Sequence, residues 1–162
     1  MAASIPAKKS TRQGMRWTQD PEGVRRAILE AAGHVFADRG FSGARVDDIA
    51  ARAVIAKRMI YYYFTDKEGL YIAVLEAAYA RIRQAEAALD LAALAPRAAL
   101  AALAAFSFDH HAANPAFVRL VMVENIHHAA HLRKSGRIAA LNHSALDMIG
   151  DIYRRGVSGG DF

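Results

Sequence analysis

The chain has no cysteine, which excludes disulfide scaffolds, thiolate zinc sites, iron–sulfur clusters and thiol catalysis. It also has no long apolar run: the longest, Ala98 to Phe106, falls far short of the ~20 residues a membrane span needs. No continuous apolar stretch precedes a cleavage site near the N-terminus, so no signal peptide is expected. Alternating strand patterns and internal repeats are missing, and only the Ala-rich stretch 92–105 approaches low complexity. There is no Gly-rich phosphate loop, nucleophile elbow or zincin motif, and no convincing carboxylate pair on one helix face. These absences lead to the expectation of a soluble, cytoplasmic, non-enzymatic chain without a cofactor.

Alanine and basic charge are what the sequence does have. Alanine supplies 36 of the 162 residues, which favours helix over sheet. The net charge is +5 and the pI about 9.7. Residues 1–67 carry 12 basic and 7 acidic side chains, whereas residues 68–162 carry 9 of each. A basic module joined to a neutral one suggests a polyanion-binding head and a body with a different task.

Residues 1–19 hold Lys8, Lys9, Arg12 and Arg16 without periodicity and read as a disordered basic arm. Asp20-Pro21-Glu22 then forms a helix start, with an N-cap acid and Pro at the first helical position. Val24, Ile28, Ala31, Val35 and Phe36 follow at helical spacing, and Gly40-Phe41 supplies a left-handed stop with its hydrophobic clasp. A short helix over about Val46 to Ala53, a tight break at Val54-Ile55-Ala56 and a second short helix from Lys57 to Phe64 come next. Thr65 and Glu68 have the spacing of a capping box. They open a long helix with Leu70, Val74, Leu75, Ala78 and Ile82 on one face, ending near Leu89. Three further helices are expected: Pro96 to about Ala112, Pro115 to about Leu132 with Asn114 as N-cap, and Ser135 to Arg155.

Two short helices joined by a tight turn, after a longer helix and inside a basic segment, describe a helix-turn-helix. Residues 25–75 resemble the N-terminal domain of the TetR (tetracycline repressor) family of bacterial transcriptional regulators. The matching run is Ile28-Leu29-x-Ala31-Ala32, Phe36-Ala37-x-x-Gly40-Phe41, Asp48-Ile49-Ala50-x-x-Ala53, Ile60-Tyr61-x-Tyr63-Phe64 and Lys67-Glu68-x-Leu70. The resemblance implies an all-α fold, with a three-helix DNA-binding head over 20–67 and a helical ligand-binding and dimerising body over 68–162. It implies a ligand-responsive repressor that binds double-stranded DNA at a palindromic operator as a homodimer and is released by a small-molecule effector. No membrane is expected as a partner. An anionic membrane surface held by the basic arm would be the competing use of the same charge.

Within the second short helix, Ile60 and Phe64 lie at i and i+4 and share the inward stripe. Lys57, Arg58, Tyr61 and Tyr62 are left facing solvent or DNA, with Met59 at the rim. Arg58 suits a bidentate contact to a guanine edge. By the resemblance, Tyr61 and Lys67 stand where backbone phosphates are contacted, and Lys67 lies in a helix first turn, itself an anion site. Arg45 occupies the place of a family threonine that caps the first short helix, and its guanidinium suits a phosphate. The family turn has Gly where this chain has Val54, and Ser or Thr where it has Ala56. Either the turn takes another geometry here or the head carries strain.

In the body, Glu124, His127, His128 and His131 share one arc if their helix is continuous, which would suit zinc or nickel and a metal-sensing repressor. The same residues also suit a polar stripe toward a pocket, a subunit contact or solvent. Phe106, Phe117, Met122 and Met148 are candidate effector-pocket lining, with ordinary apolar core as the default. Family members carry two further long helices that pair across the dimer, so the chain is expected to be truncated and to expose an apolar face.

Overall fold

The computed structural model describes residues 20–162; the basic arm expected over 1–19 lies outside them. Helix α1 (Pro21–Gly43) starts where Asp20 accepts a 2.8 Å hydrogen bond from the Gly23 amide. It buries Val24, Ile28, Ala31, Ala32, Val35 and Phe36. Gly40, at φ 66° and ψ 178°, breaks the helix as the sequence suggests, because only glycine adopts that backbone without strain. The break turns Phe41 back onto the core, with ring centroids 6.4 Å from Phe36 and 5.2 Å from Tyr71.

Helices α2 (Val46–Ala53) and α3 (Lys57–Phe64) fall where the sequence places them. Ile49 and Ile60 are fully buried against α1 and α4, each contributing roughly 1.5–3 kcal/mol. Helix α4 (Lys67–Ala87) differs at its start. Thr65 sits at φ 62° as the C-cap of α3, its amide donating to the Tyr61 carbonyl, and does not cap α4; Asp66 is the N-cap, accepting from the Gly69 amide at 2.7 Å. A carboxylate one residue closer to the helix displaces the hydroxyl as acceptor, so the expected capping box does not form.

The body consists of α5 (Pro96–Ala113), α6 (Pro115–Ile126) and α7 (Gly136–Gly159), with short 3-10 turns over Leu91–Ala93 and Leu132–Lys134. Asn114 precedes α6, but its side chain turns back and donates to the His110 carbonyl at 2.8 Å, so it does not cap α6. Helix α6 ends at Ile126 and does not run on to Leu132. His128 and Ala129 take left-handed φ values of 57° and 56°, which reverse the chain. Ser135 caps α7 and donates to Glu76 of α4 at 2.6 Å. No strand occurs among the described residues.

Two cores result. The larger joins α1, α2, α3 and the first half of α4 with Leu120 and Ile138; the smaller holds Leu91, Ala99, Leu103 and Ile152. Along α7, Leu146, Ile149, Tyr153 and Val157 are exposed at helical spacing, Leu146 and Ile149 at the edge of a cavity between the body helices.

The turn before α3 takes a left-handed backbone that suits glycine, with a β-branched residue in it. Val54 is left-handed at φ 56° and ψ 44°, and Ala56 precedes α3 without a side-chain cap. Left-handed backbone costs an L-residue roughly 1–2 kcal/mol, and Val54 is 73% exposed, so little packing offsets it. Val54→Gly is therefore expected to stabilise the chain by about 0.5–1 kcal/mol after the entropy cost of glycine. Ala56→Ser should add about 1 kcal/mol. Thermal unfolding checks both, and an unchanged or lower Tm for Val54→Gly contradicts the strain.

Candidate nucleic-acid interface and the cavity behind it

Helix α3 is two-faced. Ile60 and Phe64 are buried, while Lys57 and Arg58 are exposed and Tyr61 and Tyr62 are 44% and 79% exposed. Met59 is half-buried at the rim, and Tyr63 packs against the core. Tyr62 and Tyr63 meet edge to face at 5.1 Å, and Arg25 of α1 stands 5.2 Å over the Phe64 ring. The outer face thus carries two cations and two phenols, which offer hydrogen-bond donors and flat apolar surface to a groove of matching width.

Three features of this face go beyond the residue pattern. Lys57 pairs with Asp47 of α2 at 3.0 Å, and that hydrogen bond holds its ammonium above the usual lysine range. Arg39 pairs with Asp48, tying the end of α1 to α2. Lys67, half-buried at the start of α4, stands 4.7 Å over the Phe41 ring. The anion site expected at this helix start is already served by the Asp66 carboxylate. Arg45 is exposed just before α2 and makes no cap bond.

Behind the head, α4, α5, α6 and α7 line an open cavity of about 750 Å³. Phe117, Met122 and Met148 line it; Phe106 does not, and lies against His110 at 5.4 Å instead. One wall is aromatic: His111 stacks on Phe117 at 5.9 Å and Tyr79 meets it edge-on at 5.7 Å. Opposite polarity comes from Arg83 and Glu86 of α4, which pair at 2.5 Å with Glu86 nearly buried. The sequence reading missed this pair, although its i, i+3 spacing on the apolar α4 was visible.

The metal arrangement does not form. Because the chain reverses after Ile126, His127 and His128 face solvent and only His131 returns to Glu124. No group of three or more His, Asp or Glu among the described residues is placed to hold a metal ion. Glu124 is instead a fully buried acceptor. It takes hydrogen bonds from the His131 and Leu132 amides at 3.1 and 3.2 Å and sits 2.8 Å from His131 Nδ1. Burial pushes its carboxyl pKa up, but these hydrogen bonds outweigh burial and hold it below the usual carboxylate range.

Comparison with known proteins agrees with this geometry. Residues 28–74 match the family "Bacterial regulatory proteins, tetR family", and residues 96–162 match "Tetracyclin repressor-like, C-terminal domain". The chain is 40% identical over 154 residues to the HTH-type transcriptional repressor NicS of Pseudomonas putida, covering 95% of this chain and 72% of that protein. It is 36% identical over 110 residues to the HTH-type transcriptional repressor SCO4008 of Streptomyces coelicolor, covering 67% of this chain and 53% of that one. The crystal structure of SCO4942 from Streptomyces coelicolor superposes with a TM-score of 0.61 at 34% identity, covering 82% of this chain and 66% of that one. No helix among the described residues is long and apolar enough to cross a membrane.

Acid titration tests the buried carboxylate. A depressed pKa in the folded state means that the stability Glu124 contributes is present above the ordinary carboxylate range and is lost as pH falls through the depressed value. Glu124→Gln is expected to cost about 3 kcal/mol near neutral pH. That gap should narrow as chemical unfolding is repeated at successively lower pH. A gap that stays constant into strong acid contradicts the assignment.

Proposed function

This chain belongs to the TetR family of bacterial transcriptional regulators, and on that premise we propose that it is a repressor, released from a palindromic operator by a small molecule held in the cavity of its body. The observation that carries the reading is the two-faced α3. Its buried Ile60 and Phe64 fix the helix, and its exposed Lys57, Arg58, Tyr61 and Tyr62 form the surface offered to a major groove. Arg58 reads a base edge; Arg45, Tyr61 and Lys67 hold phosphates. Two heads in a homodimer engage successive major grooves about 34 Å apart, and the exposed stripe on α7 is apolar surface for a partner helix. An occupant of the cavity between α4 and α7 shifts the helices that carry the heads, and the operator is released.

Selection of bound sequences from random DNA, with and without pools of small molecules, tests the whole reading; recovery of no preferred sequence overturns it. Two substitutions then separate roles. Lys67→Ala should weaken binding to all sequences alike and flatten the salt dependence. Arg58→Ala should relax preference at one operator position, at a cost of about 1–3 kcal/mol. An unchanged selected site for Arg58→Ala means that α3 is turned differently in the groove.

A further inference from the structure

The Glu124 carboxylate does more than end α6. Its hydrogen bonds hold the loop that carries His131, and the His131 ring sits inside an aromatic corner of the head. Ring centroids are 4.5 Å from Phe41 of α1 and 4.9 Å from Tyr71 of α4. Phe41 in turn lies under the Lys67 ammonium. His131 Nε2 stands 3.8 Å from Glu68 in the first turn of α4, and Lys134, three residues further along the loop, pairs with Glu68 at 2.5 Å. Burial first, and then the nearby Glu124 carboxylate, push the pKa of the buried Tyr71 hydroxyl up. One buried charge on a body helix therefore reaches, through the His131 imidazole and the loop around it, the residues that begin α4.

We infer that Glu124 and His131 are positioning residues for the DNA-binding head: together they fix the first turn of α4, and with it Lys67, relative to α3. Several facts favour this over simple loop anchoring. Anchoring needs only the two amide hydrogen bonds to Glu124. The imidazole is additionally 14% exposed, packed tilted against Phe41 and edge-on against Tyr71, and flanked by a second carboxylate, Glu68. Only Thr65 and Asp66 separate α3 from α4, so a change in the first turn of α4 is passed to α3 without slack. Glu124 also lies one turn beyond Val121 and Met122 in the cavity wall, which places the joint between cavity and head. The relevance of the joint to DNA rests on the phosphate-facing reading of Lys67 above.

Amide hydrogen exchange on the full 162-residue chain, compared with Glu124→Gln and His131→Gln, tests the inference. Faster exchange is expected in residues 127–135 and also, by about 5-fold or more, in residues 67–70 and around Phe41. Acceleration confined to 127–135 overturns the proposal. So does uniform acceleration that includes Ala99 and Leu103 of α5, since that reports only lost global stability. If Glu124→Gln does not fold, His131→Gln carries the test alone, because its exchange is read over the same segments. A double-mutant cycle with Lys67→Ala, on a random-sequence duplex of about 30 base pairs at low salt, then reads the consequence for DNA. Losses in affinity smaller than multiplicative support action through Lys67, and multiplicative losses overturn it. No loss at all for Lys67→Ala, with exchange still spreading to residues 67–70, overturns the phosphate reading of Lys67 and leaves the joint supported.

Discussion

Helix α4 has to satisfy two cores with one cylinder. Its first half, through Leu70, Tyr71, Val74 and Leu75, completes the core of the head. Its second half turns Ile82, Arg83 and Glu86 to the cavity between the body helices. Packing at close-packed density leaves such a helix few intermediate positions, so a shift felt at one end is felt at the other. The chain places its most expensive interior groups along this helix or against it. Buried Glu86 is neutralised by Arg83, and buried Glu124 is held by the loop that docks on Tyr71. Removing a charge from water costs several kcal/mol unless geometry repays it. Both carboxylates therefore define where α4 and α6 stand more sharply than apolar contacts alone could.

The head was legible in the sequence almost residue by residue, because its signals are local. Asp20-Pro21 starts α1, Gly40 breaks it, and the spacing of Ile49, Ile60 and Phe64 sets the inward faces of α2 and α3. At Val54 the residue type argues against a left-handed turn, yet the backbone is left-handed there. Capping was less legible: Thr65 and Asp66 both suit an N-cap, and only the backbone at φ 62° for Thr65 decides between them.

The body was legible as helices but not as a site. The histidine arc assumed that α6 continues through residue 131, and nothing in Ile126-His127-His128-Ala129 marks a reversal by propensity. The reversal is imposed from outside the segment, by a buried Glu124 whose acceptors are best met when the chain folds back. The cavity depends in the same way on tertiary packing. Phe106 and Phe117 look alike in sequence, yet only Phe117 faces the space between α4 and α7.

The Lys57–Asp47 pair alters the arithmetic of charge at the proposed DNA surface. Affinity for a polyelectrolyte grows with the net charge brought to it, through release of condensed ions into bulk solution. A lysine that arrives with its own carboxylate brings none, so Lys57 adds little to nonspecific attraction. To grip a phosphate it must first leave Asp47, which then repels the backbone nearby. The head is thereby less adhesive than its count of basic residues suggests, and discrimination between sites falls to groups that enter without an internal counter-ion, Arg58 first among them.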